Sequence, residues 1–128
     1  MDFQPGSELP ELKVTPDRYV TVRYAGASGD FNPIHIDEEF ARSVGLPGRI
    51  LHGLWTMAQV ARAHTDAGGG PESLHSLSVQ FRGMGRMEQE ITVNGRVREA
   101  DGDTATVDSE AEQDGRRIIR RGVAKLSV

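Results

Sequence analysis

Apolar residues recur at helical spacing in one stretch of the chain and at strand spacing through most of the C-terminal half. Leu54, Met57, Ala58 and Ala61 fall at i, i+3, i+4 and i+7, with Val60 beside them. This predicts the longest helix, opening at Gly53 and stopped by Gly68-Gly69-Gly70-Pro71. Its residues are small, as in a helix lying close against a sheet. From Ser73 the period becomes two: Leu77, Val79 and Phe81; Ile91 and Val93; Ala105 and Val107; then Ala124, Leu126 and Val128. The turn formers Gly83-Met84-Gly85, Ala100-Asp101-Gly102-Asp103 and Gln113-Asp114-Gly115 separate these runs. They read as four antiparallel strands.

Before the long helix the pattern is weaker. Pro5, Gly6, Pro10 and Pro16 favour extended or turn backbone over residues 1–18. Residues 19–27 fit either a short helix or a strand. Ser28-Gly29-Asp30-Phe31-Asn32-Pro33 is a turn-rich loop. Asp37-Glu38-Glu39 then opens a short helix whose apolar side is Phe40, Ala41 and Val44, ended by Gly45. A second loop, Leu46-Pro47-Gly48-Arg49, leads to Ile50-Leu51-His52-Gly53. Helices precede strands, so the expected class is α+β: one domain over 1–128, with a long helix covered by a curved antiparallel sheet.

Composition adds a constraint. The chain has 128 residues, 37% of them hydrophobic, with one Trp, two Tyr and four Phe. That is a thin core for a domain that buries only about two thirds of its unfolded surface. A partner subunit is expected to complete the burial. With no Cys, disulfide scaffolds, thiol catalysis and cysteine-ligated metals are excluded. The net charge is −4 and the cations are dispersed, which argues against a nucleic-acid partner. No apolar run reaches the roughly 18 residues of a membrane span. Met1-Asp2-Phe3-Gln4-Pro5 does not read as a signal sequence, so a cytoplasmic protein is expected.

Four histidines are the first candidates for chemistry: His35, His52, His64 and His75. His64 near the end of the long helix and His75 at a strand start read as capping or surface residues. His35 and His52 follow short polar loops, where reactive groups concentrate. Asp30 and His35 are five positions apart across a segment stiffened by Pro33, and such a pair can hold one water between them. From spacing alone, Asp30 and Asn32 capping turns is the simpler reading. Gly53, at the start of the long helix, offers an orphan N–H at the positive end of the helix dipole, suited to an oxyanion. Close backbone passage explains that glycine equally well. Trp55 and Thr56 fit either a pocket wall or the core. His35 and Asp37 lack a third metal ligand at recognisable spacing, and no metal is expected.

These residues resemble a known family. Tyr24-Ala25-Gly26-Ala27-Ser28-Gly29-Asp30-Phe31-Asn32-Pro33-Ile34-His35 resembles the signature of MaoC-like, (R)-specific enoyl-thioester hydratases and 3-hydroxyacyl-thioester dehydratases. The likeness continues through Asp37, Ala41, Gly45, Ile50-Leu51-His52-Gly53-Leu54, Val79-Gln80-Phe81-Arg82 and Asn94-Gly95-Arg96-Val97. It covers most of residues 8–128.

The resemblance implies a hotdog fold, usually dimeric, acting on acyl-CoA or acyl carrier protein thioesters without a cofactor. It implies that His35 is the base toward water and that Asp30 orients the water and exchanges a proton at Cα. The Gly53 N–H would polarise the thioester carbonyl, with Ser28, Asn32 and His52 in support. Trp55, Thr56 and Arg82 would face the acyl chain or its carrier. Trp55 stands where a Met or Leu is usual. Arg82-Gly83-Met84-Gly85-Arg86-Met87-Glu88 replaces a stretch that commonly has Pro and then Gly-Asp.

Two rivals remain. Many hotdog thioesterases carry a catalytic carboxylate on or beside the central helix, and residues 54–65 contain none. A non-catalytic subunit of a heteromer would have no need of both Asp30 and His35. A catalytic subunit requiring a homologous partner, as homodimer or heterodimer, is compatible with the lead reading.

Overall fold

The computed structural model describes residues 1–128. Helices do come first and the sheet after them, with one exception. Leu12–Val14 forms a short strand, β1, where the prolines predict only extended or turn backbone. Its antiparallel pairing, Leu12 opposite Val93 and Val14 opposite Ile91, depends on a partner 77 to 81 positions away. Local pattern carries no trace of that pairing.

Residues 19–27 resolve as helix: α1 spans Val20–Ser28 and buries Val20, Thr21 and Ala25. A single turn, α2 (Pro33–Ile36), and α3 (Glu38–Ser43) follow. Asp37 caps α3 by accepting the Phe40 N–H at 3.0 Å. Of the apolar side expected for α3, Ala41 alone is buried, and Phe40 and Val44 are exposed. The helix is too short to bring more than one position to the core. α4 runs Gly53–Gly68, and Gly69 closes it in the left-handed conformation.

The sheet is antiparallel, in the order β1-β3-β4-β5-β2, where β2 is Leu74–Phe81, β3 Ile91–Asp101, β4 Thr104–Gln113 and β5 Arg116–Ser127. The β4–β5 hairpin turns on Asp114 and Gly115, both at positive φ, as a two-residue turn between right-twisting strands requires. Ile91, Val93, Ala105, Val107, Ala124 and Leu126 are buried as their alternation predicts. Val128 lies beyond the last strand and is largely exposed. Gln113, almost wholly buried, reaches across to residues 86–89. Its Oε1 accepts the Arg86 N–H at 2.7 Å, and its Nε2 donates to the carbonyls of Arg86 and Gln89 at 2.8 and 2.9 Å.

α4 is rotated from the face its apolar spacing predicts. Thr56, Val60, Ala63 and His64 are the buried positions, whereas Leu54 is 63% exposed and Ala58 is not among the buried residues. Both stripes have helical period. Val60 and Ala63 join Ile91, Val93, Ala111, Ile118 and Ile119 in the main core cluster.

His64 corrects the surface or capping reading: it is fully buried. Its Nδ1–H donates to the Val60 carbonyl at 2.7 Å, so the unpartnered Nε2 carries no proton. Burial lowers its pKa from the ordinary 6.5. Unfolded His64 therefore takes a proton near pH 6.5, while folded His64 resists until lower pH. Stability is expected to fall as pH drops below 6.5 and to level off beneath the lowered folded value. Thermal unfolding midpoints compared across that range should show a shallower decline for His64→Leu than for the unsubstituted chain. An identical decline would exclude His64 as a source.

Candidate active site

The polar loop after α1 is built by short-range hydrogen bonds. Gly29, at φ 80°, ends α1 and donates its N–H to the Ala25 carbonyl at 2.8 Å. The Ser28 hydroxyl donates to the Tyr24 carbonyl at 2.7 Å and accepts the Asp30 N–H at 3.2 Å. Asp30 Oδ1 accepts the Asn32 N–H at 3.1 Å, and Asn32 Oδ1 accepts the Ile34 N–H at 3.2 Å. With Asn32 as N-cap and Pro33 at the first helical position, a four-residue helix forms where propensity alone would not sustain one. The turn-capping roles of Asp30 and Asn32 are real, and they leave Asp30 Oδ2 outside those bonds.

The same turn swings His35 inward. Its ring is buried, and Nδ1–H donates to the Ile50 carbonyl at 2.8 Å. Since a carbonyl only accepts, this bond fixes the neutral tautomer with a bare Nε2. That nitrogen lies 3.9 Å from Asp30 Oδ2. The separation exceeds a hydrogen bond but lets a single oxygen atom contact both.

His52 ties the loop to α4. It is the N-cap residue, is almost wholly buried, and donates Nε2–H to the Asp30 backbone carbonyl at 3.0 Å. Its ring stacks on His35 with centroids 3.9 Å apart and planes 23° apart, and Tyr24 packs on it at 4.7 Å. Gly53 begins α4, so its N–H has no intrahelical acceptor. The Phe81 ring lies against Gly53, within 3.1 Å of where a Cβ would stand.

Tyr24, Ser28, Asp30, His52, Gly53, Leu54 and Phe81 line a hollow of about 300 Å³. Asp30, Ser28, His52 and Gly53 thus meet in one place, with His35 behind Asp30 and Asn32 shaping the loop.

Three expected residues do not join them. Trp55 is two positions beyond Gly53, about 200° around the helix. It lines a separate hollow with Val14, Val20, Gln59 and Arg62. Thr56 turns into the core. Arg82 follows Phe81 at the strand end and hydrogen-bonds Gln80 at 3.0 Å, outside the hollow. Tyr24, Leu54 and Phe81 join the site although the sequence reading names none of them as a site residue, only as parts of the segments that carry the family likeness. Leu54 sits next to Gly53 around the helix, and Phe81 is the aromatic end of an apolar strand run.

A larger hollow of about 730 Å³ lies elsewhere, over Asn94, Arg96, Arg98, Asp108 and Glu110. These residues alternate with the buried Val93, Val97, Val107 and Ala111, so they face away from the core. Their charges are paired: Arg96 with Glu8 at 2.9 Å, Arg98 with Asp108, and Glu110 with Arg117 at 3.1 Å. No acid–base pair stands beside a helix start there.

Asp30, His35 and His52 bring ligand atoms within 4.8 Å of one another, a spacing that could hold a metal ion. The geometry does not favour one. His35 Nδ1 and His52 Nε2 are both turned to carbonyls, and stacked rings send their in-plane lone pairs side by side instead of toward one point.

Residues 4–115 match the MaoC like domain. A fatty acid synthase beta subunit of Cochliobolus carbonum is 34% identical over 116 residues, 81% of this chain but 5% of the relative. An enoyl-CoA hydratase of Mycobacterium tuberculosis is 32% identical over 98 residues, 75% of this chain and 29% of the relative. The chain therefore spans a small part of these curated relatives. Among solved structures, a MaoC-like dehydratase superposes with TM-score 0.92 and 30% identity, over 98% of this chain and 41% of that one. The (R)-hydratase from A. caviae shares the fold at TM-score 0.86 and 22% identity, over 98% of this chain and 96% of its own. A helix-backed antiparallel sheet that carries the Ser28–His35 loop against the His52–Gly53 helix start is a hotdog domain, and the chain belongs to the MaoC-like dehydratase family.

Proposed function

We propose that this chain is a hydro-lyase interconverting trans-2-enoyl and (R)-3-hydroxyacyl thioesters of coenzyme A or acyl carrier protein. Residues 1–128 act as one hotdog unit in the cytoplasm, in fatty-acid or polyketide metabolism. The observation that carries this reading is the bare His35 Nε2 facing Asp30 Oδ2 at 3.9 Å, beside a helix-start N–H and an apolar wall.

In the hydration direction, a water held by His35 and Asp30 loses a proton to His35 Nε2 as its oxygen bonds to C3. The C2–C3 π electrons move toward the thioester carbonyl, whose oxygen gains negative charge. The Gly53 N–H, at the positive end of the 16-residue α4, stabilises that charge. Protonation at C2 by way of Asp30 completes the addition, and the dyad ends as it began. His52 holds Asp30 in place through its backbone carbonyl and supports the face of the His35 ring.

The thioesterase alternative calls for a catalytic carboxylate carried by the central helix itself, and residues 54–65 contain none. The only acid of α4, Asp66, lies in its last turn near Arg62, with 3.7 Å between their charged atoms.

The partner is a second hotdog subunit, identical or homologous, placed at the free edge of β2. This eight-residue edge strand, Leu74–Phe81, carries no Lys, Arg, Asp or Glu to deter pairing, and its neighbour on the other side is β5. A chain of the ChsH1-ChsH2 complex from Mycobacterium tuberculosis has the same fold, at TM-score 0.86 and 24% identity.

Three outcomes are expected. Loss of enoyl absorbance with crotonyl-CoA should slow by at least about 100-fold in both Asp30→Asn and His35→Ala. Rates like the unsubstituted protein's in both variants would remove the dyad from the mechanism. His52→Ala should lower kcat by about 10- to 100-fold with little change in KM, as misplacement of a catalytic group does. His52→Gln, whose amide can still donate to the Asp30 carbonyl, should recover part of that loss. Sedimentation should report a dimer. A stable monomer, inactive alone and active with a homologous chain, would replace the homodimer with a heterodimer.

A further inference from the structure

We propose that Phe81 sets the acyl-chain length that the hollow accepts, restricting it to short chains. This rests on the hydratase reading above and names the substrate class within it. An aromatic ring on a sheet normally serves the core, yet Phe81 is 51% exposed and belongs to neither buried cluster. Its strand partner, Ile119, is almost wholly buried in the main cluster. β5 is flanked on both sides while β2 is an edge strand, and the two positions also differ in what covers them. Phe81 meets the first residue of α4, which has no side chain. A Cβ on Gly53 would find ring carbons Cε1 and Cδ1 at 3.1 and 3.2 Å. The ring therefore lies flush on the backbone whose N–H is offered to the thioester carbonyl.

The chemistry fixes where the substrate must sit. The carbonyl oxygen is within hydrogen-bond reach of Gly53 N–H, and C3 is about 3–3.5 Å from the water held by Asp30 and His35. Those demands consume the polar end of a hollow of about 300 Å³, the bottom of the range for ligand sites. The remaining wall is Tyr24, Leu54 and Phe81. That wall is the part of the hollow left to a chain continuing beyond C4, and the Phe81 ring is the bulky group in it that also packs on Gly53. Because the ring contributes to no buried cluster of the chain, shortening it opens this wall and leaves the sheet and α4 in place. Since Phe81 ends the edge strand assigned to the partner, sedimentation of each variant must match the unsubstituted protein.

The test uses the full-length protein and trans-2-enoyl-CoA of four, six, eight and ten carbons, with unsubstituted protein, Phe81→Leu and Phe81→Ala. Thermal melting confirms that each variant folds. The ratio of kcat/KM for the ten-carbon to the four-carbon substrate should rise by about tenfold or more in Phe81→Ala, with Phe81→Leu between. An unchanged ratio overturns the proposal, and so does an equal loss at every chain length, which would make the ring an orienting group. A second arm needs no turnover: calorimetric binding of saturated butanoyl- and decanoyl-CoA. A gain for decanoyl-CoA in Phe81→Ala upholds the proposal even if no enoyl-CoA is hydrated, and that lack of hydration would count against the hydratase reading alone. Binding of neither ligand by any form overturns both.

Discussion

The Asp30 backbone carbonyl is where the two halves of the site are fastened together. His52 Nε2–H reaches it from the start of α4, 22 positions along the chain. Without that bond, the Ser28–His35 loop is held to its surroundings chiefly by His35 Nδ1–H on the Ile50 carbonyl and by the Ile50 N–H on the Ile34 carbonyl, 3.1 Å away. All three bonds fall between the same two segments, residues 30–35 and 50–52. They set the tautomer of one histidine, the position of one carboxylate and the place where a helix begins. The proton transfer proposed for Asp30 and His35 would need fixed geometry more than unusual residues. Here the fixing comes from backbone carbonyls, which cannot titrate away.

The histidine pair divides its labour by hydrogen-bond partner. Both rings are buried and stacked, yet they present different nitrogens to carbonyls: Nδ1 in His35, Nε2 in His52. The bare nitrogen of His35 consequently faces Asp30, whereas that of His52 is enclosed without a partner. Two residues of one type, in van der Waals contact, thereby hold one nitrogen turned to a carboxylate and one turned to a carbonyl.

Much of this is legible in local sequence. The Asp114-Gly115 hairpin, the start of α4 at Gly53 and the Asp30–His35 loop all depend on residues a few positions apart. Turn chemistry and capping act over that range. β1 is invisible there because its three residues gain a strand only through β3. The buried face of α4 is ambiguous because two stripes share the helical period, and only the sheet selects Val60 and Ala63 over Leu54 and Ala58. The burial of His64 is hidden for the same reason. Trp55 draws attention as an aromatic near the site, but helical rotation carries it to another hollow. Phe81 escapes because alternation says which face a residue is on, not whether anything covers it there.

The Gln113 side chain has a consequence for how this domain can vary. Residues 86–89 are held by three hydrogen bonds from one buried amide on β4, all of them to main-chain groups. The path of that connection is thus set largely from outside it, with Met87 the one side chain of the segment that packs against the main core cluster. Steering through the main chain leaves an exposed side chain such as Gln89 free to change while the course stays put, whereas Gly85, just before the held residues, is fixed as glycine because a Cβ there would stand 2.8 Å from Leu51 Cδ1. The instruction for that loop's course resides one strand away, in a glutamine.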